Sequence, residues 1–199
     1  MKRMLLTALI ALALPMMAFA GSSYDFTNDG GTLSGTNSGL SLTGSTLIAL
    51  NGPGIGLVTG DLGSVTFSTG ALTSGTLQMG GTFAGGGSFT ITGNGNGVPN
   101  GVIFSGTFTG PVTWTMVTLA NGTHNYTLTG AISGAWLGSG NVEGATVQLT
   151  INTGKGFFNG STMISSGDTN ITVPEPSTLG LLGTGLIGLA GALRKKLKV

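Results

Sequence analysis

Few side chains in this chain could do chemistry. There is one histidine, His124, no cysteine, and six carboxylates, of which Asp25, Asp29, Asp61, Glu143 and Asp168 lie within residues 21–173. His124, in Asn121-Gly-Thr-His-Asn125, could complete a Ser-His-Asp group with a serine and either Asp61 or Asp168, because such groups are set by geometry and not by chain order. No Gly-x-Ser-x-Gly elbow presents a nucleophile, so His124 reads as a surface turn residue. A glycosidase needs two carboxylates about 5 to 10 Å apart. Of the five here, all but Glu143 are aspartates near turn signals, where capping and turn bonding account for them. One histidine and scattered carboxylates make neither a zinc nor a calcium site. Residues 93–101 are glycine-rich but lack the Gly-Lys-Ser/Thr and the following helix of a phosphate loop. The expectation is a protein with no catalytic residue, no metal and no cofactor, not an enzyme, with a glycoside hydrolase as the least favoured alternative. Aromatic side chains offer a different chemistry, stacking on sugar rings. Trp114, Trp136, Tyr24 and Tyr126 could stack in this way if exposed, but all read first as core, Trp114 most so within the alternating run Val112-Thr-Trp114-Thr-Met116, and Trp136 and Tyr24 stand as the candidate sugar-stacking residues.

The composition of the scaffold is unusual. Of 199 residues, 39 are Gly, 30 Thr and 17 Ser, and only 7% are charged, against a usual ~25%. The formal charge of +1 hides a division, since Lys155 is the only base in residues 21–173 and faces five carboxylates, a net charge of −4. The other bases, Lys2, Arg3, Arg194, Lys195, Lys196 and Lys198, sit at the two ends. The body therefore lacks the basic stripe that a phosphate backbone requires, which excludes nucleic acid as a partner. Without cysteine there are no disulfides, and backbone pairing with apolar packing must hold the body together.

Apolar residues alternate with a period of two at Val65-Thr-Phe67, Phe89-Thr-Ile91, Val112 to Met116, Tyr126-Thr-Leu128 and Val147-Gln-Leu149-Thr-Ile151. Turn chemistry separates them, as in Asn28-Asp-Gly-Gly31 and Asn51-Gly-Pro-Gly54, and Asn121-Gly122 is the clearest hairpin signal. Residues 21–173 thus read as one secreted all-β domain, an antiparallel β-sandwich or barrel of roughly ten strands. The alternative is a parallel β-solenoid, but the similar segments starting at Leu40, Phe89 and Tyr126 are offset by 49 and 37 residues, which is no fixed period. Threonine-rich strands with few charges also lack edge protection, which invites edge-to-edge self-association.

The ends carry addresses. Residues 1–20 combine Lys2 and Arg3, an apolar run, Pro15 and the Ala18-Phe-Ala20 exit of a secretory signal peptide. At the other end, Pro174-Glu175-Pro176 precedes an almost uncharged stretch over residues 177–193, about 25 Å as a helix, and then the basic stop Arg194, Lys195, Lys196 and Lys198. The basic cluster would stay cytoplasmic, leaving the body outside. Residues 174–199 resemble the PEP-CTERM protein-sorting domain, in which a Pro-Glu-Pro motif stands beside a glycine-rich membrane helix and a basic tip. The resemblance implies recognition by an exosortase, a membrane transpeptidase of exopolysaccharide-producing Gram-negative bacteria. It also implies a membrane-anchored intermediate, followed by the cell surface or the extracellular matrix. The function expected is that of a structural or adhesive protein of the surface or exopolysaccharide, with a carbohydrate-binding module as the alternative and extracellular polysaccharide as its partner.

Overall fold

Threonine and the β-branched or aromatic residues between glycine turns favour extended chain, because their branched side chains suit a pleated surface. The computed structural model describes residues 22–173 and shows thirteen strands there. They are β1 (Ser22–Asp29), β2 (Thr32–Thr36), β3 (Gly39–Gly52), β4 (Gly56–Ser68), β5 (Leu72–Thr76), β6 (Gly80–Phe83), β7 (Gly86–Asn94), β8 (Asn100–Phe108), β9 (Val112–Thr118), β10 (His124–Trp136), β11 (Ser139–Asn152), β12 (Ser161–Met163) and β13 (Ser166–Val173). The strands beyond the expected ten are short ones such as Leu-Thr-Ser-Gly-Thr in β5 and Ser-Thr-Met in β12, which have no alternation to read. The signal peptide with Ala18 and Ala20, the sorting motif, the membrane helix and the basic stop lie outside the described residues. Among the described residues no helix is long and apolar enough to cross a membrane.

All strands belong to one sheet, and the pairing path β1-β3-β4-β7-β8-β10-β11-β13 returns to β1, so the sheet closes into a ring. Pairs with a described register are all antiparallel, which replaces the parallel solenoid alternative. Two long strands divide one edge between partners. β3 pairs with β2 over residues 39–43 and with β1 over residues 46–51. In the same way, β10 pairs with β9 over residues 124–129 and with β8 over residues 132–136. Two side branches leave the ring at these points, β2-β12 and β9-β6-β5. Closure changes the edge expectation: among the described residues only β5 and β12 have a partner on one side alone, and they are five and three residues long. Short edges of this kind are poor templates for strand addition.

The expected alternation is what fills the ring. Val65, Phe67, Phe89, Ile91, Val112, Trp114, Tyr126, Leu128, Val147, Leu149 and Ile151 are all buried, and Met116 packs against them half-exposed. Four phenylalanines, Phe67, Phe89, Phe104 and Phe108, meet with ring centroids 5.9 to 6.2 Å apart. Apolar side chains pointing in with threonines pointing out is the reverse of a membrane barrel, whose apolar band faces lipid. Glycine serves the turns and bulges: nineteen described glycines have positive φ, a conformation that L side chains rarely adopt. Such ordered use of glycine explains how so glycine-rich a body still folds.

Candidate functional site

Backbone register assembles a polar array on the outside of the ring. Thr113 on β9 stands opposite Thr129 on β10, Thr129 opposite Gln148 on β11, and Gln148 opposite Asp168 on β13. A second row runs Ala131, Thr146, Asn170 across β10, β11 and β13. These side chains are exposed, because each occupies the outward position beside a buried neighbour such as Leu128, Val147 or Thr169. Asp25 on β1 joins them, and the array lines an open groove of about 530 Å³.

Two carboxylates of the sequence analysis therefore come together. Asp25 and Asp168 were expected near turns, but they lie inside strands β1 and β13 and share this groove. Burial in the groove, and then the nearby Asp168 carboxylate, raise Asp25 above its ordinary value of 3.8. A carboxyl that holds its proton more tightly folded than unfolded stabilises the fold below its unfolded pKa and loses that contribution as pH rises through its folded pKa. Asp25→Asn is thus expected to stabilise the protein at pH 7, by no more than about 0.5 kcal/mol because the pair is exposed and screened. The gain should vanish below pH 3.8, where both forms are neutral. Thermal melts at the two pH values measure the difference.

Asp29 and Asp61 bond locally. Asp29 accepts a hydrogen bond from the Gly30 N–H at 2.7 Å, the turn bonding expected of it. The Asp61 carboxylate accepts from Asn94 Nδ2 at 3.4 Å, and the Asp61 backbone carbonyl accepts from Asn94 Nδ2 at 2.9 Å and from Asn96 Nδ2 at 3.3 Å. Glu143 lies on β11 opposite Ser133, across the register from the groove rows.

His124 departs from its expectation. It is buried rather than a surface turn residue, because β10 begins at His124 and carries the imidazole inward. Its Nδ1 shares a hydrogen bond of 3.0 Å with Thr118 Oγ1, and its ring stacks on Phe157 at 4.4 Å. These contacts fix the ring against β9 and the β11–β12 loop; neither Asp61 nor Asp168 is its partner.

The aromatics divide in two. Trp114 and Tyr126 are buried and stack at 4.9 Å, and their polar tips reach the β5–β6 turn: Trp114 Nε1 donates to the Leu77 carbonyl at 2.9 Å, and Tyr126 Oη to the Gln78 carbonyl at 2.6 Å. Tyr24 on β1 and Trp136 at the end of β10 meet with ring centroids 4.5 Å apart and an interplanar angle of 34°. Both are half-buried, and Trp136 also sets its edge near Phe26 at 5.9 Å. Their pairing lies outside the groove lining.

Sequence reasoning missed Gln148, Asn170 and the threonine rows. The signal was the outward half of the same alternation, for instance Gln148 between Val147 and Leu149, but which outward residues share a face depends on pairing across the ring.

The fold and groove define an antiparallel β-domain closed by its last strand. What the chain carries beyond that strand is shown by comparison: residues 172–196 match the PEP-CTERM protein-sorting motif. The match starts at Thr172 and Val173, the last two residues of β13, so the motif follows the domain directly. It implies export and processing by an exosortase, a membrane enzyme, with surface localisation after a membrane-anchored stage. No curated protein and no solved structure matches the chain.

Proposed function

We propose that this is a non-catalytic structural or adhesive protein of the cell surface or exopolysaccharide matrix of a Gram-negative bacterium, delivered by an exosortase. The observation that carries the reading is the junction at Val173, where a closed β-domain passes without a linker into the sorting motif. A domain closed in this way presents a sparsely charged, mildly acidic and hydroxyl-rich exterior wherever it is delivered. The engagement of His124 with Thr118 and Phe157 supports a non-catalytic role, since it withdraws the chain's one imidazole from acid–base work.

Mass spectrometry of the protein from native cells tests the sorting. The mature form is expected to end near Pro174, Glu175 and Pro176, and the triple alanine variant of that motif to keep its Lys198-Val199 end. A mature wild-type protein that uniformly retains Lys198 and Val199 would overturn the processing. Asp25→Asn, Asp168→Asn and Glu143→Gln forms test catalysis: a polysaccharide cleaved by the wild type and spared by any of them would make this an enzyme.

A further inference from the structure

The open groove over β9, β10, β11, β13 and β1 brings Asp25, Thr113, Thr129, Thr146, Gln148, Asp168 and Asn170 onto one face. We propose that it binds a saccharide chain free of anionic groups, held by Asp25, Thr129, Gln148, Asp168 and Asn170. Three observations carry this. The first is spacing: the rows step from strand to strand at about 4.8 Å, close to the length of one sugar residue in an extended chain, so that each strand can face a successive sugar. The second is chemistry. Carboxylates accept from adjacent hydroxyls, glutamine and asparagine amides both donate and accept, and threonine hydroxyls do either. Among the described residues the fold uses none of the hydrogen-bonding capacity of the Thr113, Thr129, Gln148 and Asp168 side chains, and Asn170 only accepts one bond, from Ser23 Oγ at 3.0 Å. In contrast, polar side chains at the loops, such as Asn94, Asn121 and Asn152, are engaged locally.

The third observation is charge. Two carboxylates stand in the groove and Lys155 is the only base in the body, so an acidic polymer would meet repulsion without compensation. Neutral or amino-bearing sugars meet none. Other occupants fit less well. An apolar peptide would find no large exposed apolar side chain in the lining, and nucleic acid is excluded by charge. The site differs from the Tyr24–Trp136 pair to which sequence reasoning assigned sugar binding, and the two can be told apart.

Native affinity electrophoresis of the mature protein tests the proposal, with gels containing a neutral β-glucan, a soluble amino-polysaccharide or an alginate. Retardation by the neutral or the amino polymer, and not by alginate, is the expected result. The double variant Gln148→Ala/Asp168→Ala should weaken it about tenfold or more, as loss of several hydrogen bonds implies, while circular dichroism stays unchanged. Trp136→Ala should leave it as it was. Absence of retardation by both neutral and amino polymers overturns the proposal, and so does unchanged retardation of the double variant. Loss on Trp136→Ala alone overturns it too, in favour of the aromatic pair. The assay uses purified protein, so its outcome is independent of whether exosortase sorting is confirmed.

Discussion

Trp114→Ala should destabilise the protein by about 3–5 kcal/mol in urea denaturation, a large part of the roughly 5–15 kcal/mol that holds a typical domain together. Trp114 is among the largest fully buried side chains, and three separate contacts end with it. It stacks on Tyr126, meets Phe158 edge-on at 5.5 Å, and holds the Leu77 carbonyl through Nε1. Removing the indole opens a cavity that strands paired on both sides cannot collapse to fill, since β9 is bonded to β6 and to β10. It also removes one of the two side-chain bonds that tie the β5–β6 turn to the core, leaving that of Tyr126. A milder companion isolates that second effect. Tyr126→Phe keeps the ring but strips the Gln78 carbonyl and the Phe158 N–H of their partner, at a cost of about 1–3 kcal/mol. If Trp114→Ala cost less than Tyr126→Phe, the assignment of Trp114 to the centre of the core would be wrong.

Gly134→Ala is the second large effect. Gly134 on β10 stands opposite Gly106 on β8, and the two backbones approach so closely that a Cβ on Gly134 would strike the Ser105 carbonyl oxygen, while one on Gly106 would strike that of Ser133. Neither strand has room to retreat. β10 is paired on its far side with β11, through Gly134 and Val142, and β8 is paired with β7 through Gly106 and Phe89. A single methyl group there should therefore cost about 3 kcal/mol or more, with the β8–β10 join the first part of the ring to open. Gly110→Ala is the control, because nothing lies within 4 Å of a Cβ at that position, and it should fall within about 0.5 kcal/mol of wild type. Protease sensitivity of the two exported variants gives the comparison. Equal resistance would mean that β8 and β10 can separate by more than the structure allows.

Much of this fold was written in period two. The residues between Val147 and Ile151 specified which side chains enter the core, because register along one strand is a local property. Asn121-Gly122 likewise specified that β9 and β10 pair, and they do. Ring closure was legible only as one of two options, sandwich or barrel, since it depends on β13 finding β11 and β1, and β1 is the far end of the domain. The same reason hid the groove. Asp25 and Asp168 read as turn residues because aspartate favours turns, whereas their shared place in the groove is set by the closure that brings β1 and β13, 143 residues apart at these positions, to one face. The burial of His124 was hidden differently: its partners Thr118 and Phe157 come from β9 and from the loop after β11, and neither is marked by a pattern.

The seam between β1 and β13 also dictates an order in time. The hydrogen bond from Ser23 to Asn170 joins residues 147 apart in sequence, so the first strand made must wait for the last before either edge is complete. A chain emerging from a secretion channel with its N-terminal end first can therefore build its hairpins early but not its ring. Contacts of such long range slow folding, because the loop they close is ordered before it is rewarded. During that wait the unpaired sides of β1 and β11 are sticky, and a chain cut short before residue 166 would keep them so permanently. Truncation before residue 166 should thus yield aggregates where the whole protein yields a closed domain.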